Sequence, residues 1–165
     1  MEPKFLKFNT VVNPDTGRIL EYVDKRPCVV GMIVDANVKR ALMVKQFRAG
    51  VQDYIYEFPA GVIEEHQTPL DALFAEVRQE AGIDKDDMSL IAYVGHYLSS
   101  VGWTTEDAHL YFVQLKPDYK HLEQQLDEEE SVTYEWVNID EIDKLYKKTA
   151  VPIKTAMLLN YYRSL

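Results

Sequence analysis

The sequence predicts an α+β fold, with helices packed on a mostly antiparallel or mixed sheet, and three observations carry that prediction. Short runs rich in β-branched and aromatic residues recur along the chain, each bounded by turn-forming residues. One well-delimited amphipathic helix sits mid-chain, and helical patterns return at the end. No internal repeat or linker divides the 165 residues, a length that suits one domain over 1–165 with a single substantial core.

Residues 4–11 and 18–23 read as an antiparallel strand pair joined by the turn Asn13-Pro14-Asp15-Thr16-Gly17. Asp24-Lys25-Arg26-Pro27 is a second break. The run CVVGMIV over 28–34 is a buried strand, and 41–46 follows it after a polar turn near Asn37. The segment YIYEFP, 54–59, is a short strand leading into a Gly-containing loop. That loop feeds the central helix. Thr68 fits its N-cap, Pro69 its first position, Asp71 the capping carboxylate and Gly82 the C-terminal stop. Leu70, Leu73, Phe74, Val77 and Ala81 form its apolar stripe, and Glu76 and Glu80 stack one turn apart on the flank.

Beyond the helix, 84–87 is a polar connection, and 90–97 and 109–115 read as strands around a long loop over 99–107. Segment 116–130 ends in the acidic run 127–130, a solvated surface stretch. A last strand spans 132–137. Residues 142–148 and 152–163 look helical, the latter with Ile153, Ala156, Met157, Asn160 and Tyr161 on one side.

Composition narrows the function. With 47% hydrophobic residues the chain is not of the disordered class. A net charge of −9 argues against a general nucleic-acid binder and an anionic membrane surface. It does not exclude a phosphorylated small molecule, because a bound divalent metal reverses the local sign. Cys28 is the only cysteine, which rules out a disulfide framework and a cysteine zinc site. The first residues, MEPKFLKFNT, lack a signal-peptide hydrophobic region, and no stretch is long enough to cross a bilayer, so a cytoplasmic setting is expected. The four histidines, His66, His96, His109 and His121, show no paired ligand spacing.

Two carboxylates stacked on a helix repel each other unless a cation lies between them, although a solvated surface pair is also common. The surrounding text bears on that choice. Gly61, five residues, Gln67, seven residues, then Ala75-Glu76-Val77-Arg78-Gln79-Glu80-Ala81-Gly82-Ile83 resembles the Nudix box. Both glycines, both aliphatic positions, Glu76 and Glu80 match it; Gln67, Ala75 and Gln79 replace Glu, Arg and Glu of the family pattern. The resemblance implies the Nudix α/β/α sandwich around a mixed central sheet. It also implies Mg²⁺, or Mn²⁺ in its place, held by Glu76, Glu80 and the Ala60 carbonyl. The loop-ordering ion pair of the family is missing both partners, Gln67 and Ala75, which leaves no unpaired charge behind. Gln79 removes a negative charge, and weaker metal binding rather than none is expected.

Two further segments resemble the ADP-ribose pyrophosphatase branch of the family. Val44 to Arg48, followed by Tyr56-Glu57-Phe58-Pro59-Ala60-Gly61, matches its approach to the box, which implies that Arg48 and Glu57 contact substrate. Each also has a plain structural use, Arg48 in a surface salt bridge and Glu57 as a hydrogen-bond acceptor. The loop from Ser99 resembles that branch's Ser-Pro-Gly loop, with Val101 for the proline. It implies a catalytic role for Glu106, placing or deprotonating the attacking water beside Glu80; a solvated loop residue is the alternative, and Asp107 fits the same role. Trp103 suits stacking on a base or ribose, or a place in the core. Together these imply Mg²⁺-dependent hydrolysis of a nucleoside diphosphate linked to another moiety, with ADP-ribose giving AMP and ribose 5-phosphate. The rival reading is a Nudix-fold module that binds such a ligand without cleaving it. The branch also implies a homodimer, with residues 1–24 as an exchanged arm and the second protomer completing the pocket.

Overall fold

The computed structural model describes residues 6–125, 131–146 and 150–165. The acidic run 127–130, residues 4 and 5 of the expected first strand, and residues 147 and 148 of the expected helix lie outside them.

An N-terminal hairpin comes first, β1 (Lys7–Val12) against β2 (Ile19–Asp24), antiparallel and separate from the main sheet. Its turn forms as the local sequence requires. Asn13 Oδ1 accepts from the backbone N–H of Asp15 and Thr16 at 3.0 Å each, and Gly17 takes φ +69°.

The main sheet is mixed. It comprises β3 (Cys28–Val34), β4 (Arg40–Arg48), β5 (Asp53–Glu57), β6 (Ala60–Val62), β7 (Met88–Leu98), β8 (Asp107–Leu115) and β9 (Thr133–Asn138). Strands run in the order β5-β4-β3-β8-β7, with β9 on the far edge of β4 and β6 on β3. β3 and β8 are parallel from Cys28 opposite Ala108 to Val34 opposite Gln114; the other pairings are antiparallel. Every residue of β3 is buried, as expected of a strand covered on both faces.

Alternation along β3 sorts the core into two layers. Val29 and Ile33 join Leu73, Val77 and Ala81 of α1 (Pro69–Ala81), whereas Val30, Met32 and Val34 join Leu158 and Leu159 of α3 (Ile153–Arg163) and Ile142 of the short α2 (Ile142–Leu145). The result is the helix–sheet–helix sandwich. The face of α3 that meets the sheet differs from the grouping expected: Thr155, Leu158 and Leu159 are buried, while Ile153 and Asn160 are exposed. Burial on this helix follows the leucines rather than the longer apolar stripe.

α1 ends as its sequence dictates. Thr68 Oγ1 accepts from the Asp71 N–H at 3.1 Å, Pro69 opens the helix, and Gly82 at φ +64° directs its N–H back to Arg78 and Val77 carbonyls. Gly82 is required twice over, since a β-carbon there would overlap the Leu122 carbonyl. Among the described residues, no helix is long and apolar enough to cross a membrane.

Candidate active site

α1 and β6 build the site between them. Burying Leu73, Val77 and Ala81 turns the adjoining flank, with Glu76 and Glu80, toward the strand and loop that precede the helix. Glu80 is buried at 6% exposure, an uncommon place for a carboxylate, and Glu76 is half-buried. Gly61 lies so close that a β-carbon on it would overlap the Glu76 carboxylate. Ala60, Gly61, Glu76 and Glu80 thus line one cavity of about 470 Å³, with Arg26 and Arg48 on its walls.

The donor set is two carboxylates with the backbone at Ala60 and Gly61 closed down over one of them. Such hard oxygen ligands suit Mg²⁺, which binds through one or two carboxylates and keeps other positions for water and phosphate oxygens. The chain fits the ion.

The three box departures have visible consequences. Gln67 ties the loop to itself: its Oε1 accepts from the Glu64 N–H at 3.1 Å and its own N–H donates to the Glu64 carbonyl at 3.0 Å. Neutral hydrogen bonds therefore close the loop without a charged partner, and Ala75 is simply exposed. Arg26 of the neighbouring connection pairs with Glu64, anchoring the loop from outside. Arg78 points elsewhere, donating to the Glu123 carbonyl at 2.9 Å. Gln79 lines the cavity.

Arg48 and Glu57 pair with each other, Nε to Oε2 at 2.5 Å, across β4 and β5. Arg48 lines both the carboxylate cavity and an adjoining one of about 280 Å³, where Glu57 and Pro152 also lie. Arg48 is thus the wall shared by the two, and Glu57 reaches only the adjoining one.

Glu106 and Trp103 do not line the carboxylate cavity. Glu106 is gripped by Lys25 Nζ at 2.6 Å and by Lys154 Nζ of α3 at 2.9 Å. Burial alone would raise its pKa, but hydrogen bonds from the two ammonium groups outweigh burial and hold it down at about 2. In this arrangement Glu106 is a fixed negative charge rather than a ready proton acceptor. Trp103 is exposed beside the N-terminal hairpin, its carbonyl accepting from the Val23 N–H at 2.8 Å.

One grouping escaped the sequence reading. His96 and His109 have no ligand spacing along the chain, yet they stack on each other across β7 and β8, with the Asp107 carboxylate at their Nε2 edges. The register carries a bulge at 93–95, and no local motif reports it.

The profile of the NUDIX domain matches residues 25–159. The chain belongs to the Nudix family. The ADP-ribose pyrophosphatase of Bacillus subtilis (strain 168) is 28% identical to this Nudix chain over 140 residues, covering 83% of this chain and 72% of its own. A methanol dehydrogenase activator of Bacillus methanolicus is similar at 28% over 138 residues, with the same shares. An RNA pyrophosphohydrolase of Halorhodospira halophila reaches 35% over only 69 residues, 42% of this chain and 36% of its own. Membership supports hydrolysis of a nucleoside-diphosphate-linked compound, and Nudix hydrolases in general work with a divalent metal.

Proposed function

We propose that this Nudix chain hydrolyses ADP-ribose to AMP and ribose 5-phosphate in a Mg²⁺-dependent reaction. One observation carries the reading: Glu76, Glu80 and the Ala60–Gly61 backbone line a single cavity that also presents Arg26 and Arg48. The B. subtilis relative named for ADP-ribose supports the choice of substrate.

Mg²⁺, or Mn²⁺, held by Glu76, Glu80 and the Ala60 carbonyl would neutralise phosphoryl charge and acidify water. The guanidinium of Arg48 suits a diphosphate, because its planar donors match two phosphate oxygens at once. Glu57 holds that guanidinium in direction. Water attacks one phosphorus, the bridging P–O bond breaks, and the leaving phosphate departs with the electron pair. Glu80, inside the cavity, is the better placed carboxylate to take the water proton. Glu106 joins the reaction only by leaving Lys25 and Lys154, and otherwise acts as a fixed charge that braces the loop after Ser99. Trp103 serves substrate stacking only where a ligand reaches the hairpin.

A second reading rests on Gln67, Ala75 and Gln79: a module that binds ADP-ribose or a nucleotide sugar without turnover. The test is release of AMP or a phosphomonoester from ADP-ribose, GDP-mannose, diadenosine polyphosphates and 5′-triphosphorylated RNA, with Mg²⁺, with Mn²⁺ and with chelator. Metal-dependent cleavage of ADP-ribose is expected. Glu80→Gln should lower kcat by about 10²-fold or more with the fold intact, and by more than Glu106→Gln does. Full activity in Glu80→Gln would sink the assignment. ADP-ribose that raises the Tm yet is never cleaved would establish the binding module instead.

A further inference from the structure

We propose that His96, Asp107 and His109 form a second metal site, which takes a borderline-soft divalent ion of the Zn²⁺ type. None of the three lines the carboxylate cavity.

The geometry comes from the strand pairing. His96 of β7 lies directly opposite His109 of β8, and cross-strand partners share one face of the sheet. Asp107, two residues before His109, returns to that same face. His96 Nε2 is 2.9 Å from Asp107 Oδ2, and His109 Nε2 is 3.8 Å from Asp107 Oδ1. One ligand atom from each residue lies within 4.8 Å of the other two. Ligand atoms of a tetrahedral Zn²⁺ site lie about 3.4 Å apart, so binding draws the three side chains together by on the order of 1 Å and turns the rings out of their stacked pose. The imidazoles stack at 4.4 Å and 11°, side by side with both Nε2 atoms turned toward the carboxylate.

Two details favour a metal over a bare hydrogen-bonded trio. Asp107 Oδ1 is buried and accepts no hydrogen bond from the described residues, leaving a carboxylate oxygen that an ion would satisfy. The second ring nitrogen of His109, Nδ1, is 3.2 Å from the Tyr93 hydroxyl. A hydrogen bond there orients the ring and frees Nε2 as the ligand atom, the usual outer support of a metal-binding histidine. Two imidazoles and one carboxylate select a transition ion over Mg²⁺, which prefers all-oxygen sites.

The position suggests what the ion does. β7 ends at Leu98 and β8 starts at Asp107, and the loop between them carries Glu106. An ion across His96, Asp107 and His109 clamps the two roots of that loop.

The test uses the full chain, stripped with chelator and held in excess Mg²⁺ to keep the carboxylate cavity filled. Zn²⁺ is titrated by calorimetry and Co²⁺ by visible absorption. One saturable Zn²⁺ per chain is expected, together with a Co²⁺ ligand-field band. His96→Ala and His109→Ala should each weaken affinity at least about 10-fold, and Tyr93→Phe, a half-exposed residue losing one hydroxyl, about 10-fold. Glu80→Gln should leave this binding unchanged. No saturable Zn²⁺ uptake by the parent chain overturns the site. So does uptake that survives both histidine variants or is lost in Glu80→Gln.

Discussion

Gly61 is the residue on which the carboxylate site turns. Its lack of a side chain is a matter of space rather than of backbone angle: a β-carbon would occupy the position of the Glu76 carboxylate. Gly61→Ala must therefore push that carboxylate aside. Glu76 is half-buried and flexible at its end, so the fold has an easy way to relax and the site has none. A displacement of about 1 Å in a positioned group can cost on the order of 10²-fold in rate. We expect Gly61→Ala to lose activity of that order with almost no change in Tm. Steady-state kinetics beside a thermal melt checks it; unchanged kcat would mean that Glu76 does not need its observed place. Glu106 teaches the opposite lesson. Its motif position alone suggests a base, yet two lysines, one of them from the distant α3, make it a weak acceptor. Chain order does not report partners 81 and 48 residues away.

Elements were legible in proportion to how local their causes are. Both ends of α1 follow from Thr68, Pro69, Asp71 and Gly82, all within reach of the backbone groups they satisfy, and the sequence placed them correctly. β3 was plain from its unbroken apolar run. β6 was not, because three residues carry no period, and only pairing with Cys28 to Val30 makes them a strand. The histidine pair was hidden for the same reason. Asp35 offers a test at this scale, since it governs the turn from β3 into β4. Its Oδ1 accepts from the Lys39 and Arg40 N–H groups at 2.9 and 3.3 Å, and Oδ2 takes Arg40 Nε at 3.0 Å. Burial pushes its pKa upward, but these donors prevail and hold it below its ordinary 3.8. A depressed folded-state pKa stabilises the fold above the unfolded value and loses that contribution as pH falls through the folded one. Asp35→Asn should thus cost about 1–3 kcal/mol at neutral pH. The gap between variant and parent should close in strong acid, as both side chains become neutral. Denaturant melts across pH decide it; a gap that stays constant down to acid would assign the effect to packing instead.

At the scale of the whole molecule, the N-terminal hairpin is the part the rest of the chain does not account for. It forms its own two-stranded sheet, and such a hairpin alone is marginal in water. Phe8, Val11, Val12, Ile19 and Leu20 are all exposed, Phe8 at 65% and Ile19 at 70%. Its ties to the body are few, chiefly Val23 with Trp103 and Thr105. Apolar side chains gathered on a thin ribbon are costly to leave in water, and a second copy of the chain bringing the same ribbon would cover them. We therefore expect a homodimer built on β1 and β2, burying on the order of 1,200–2,000 Å² in all. Trp103 lies against this hairpin, so the dimer is also the assembly in which it would find a ligand to stack on. Sedimentation at micromolar concentration should show a dimer, and Phe8→Asp with Ile19→Asp should convert it to a folded monomer. Neither residue belongs to the carboxylate cavity, so activity in the monomeric variant reports what the partner contributes. Retained kcat with a raised KM would mean that the partner contributes binding alone. A parent chain that sediments as a monomer would remove the dimer, and with it the argument for Trp103 as a substrate contact.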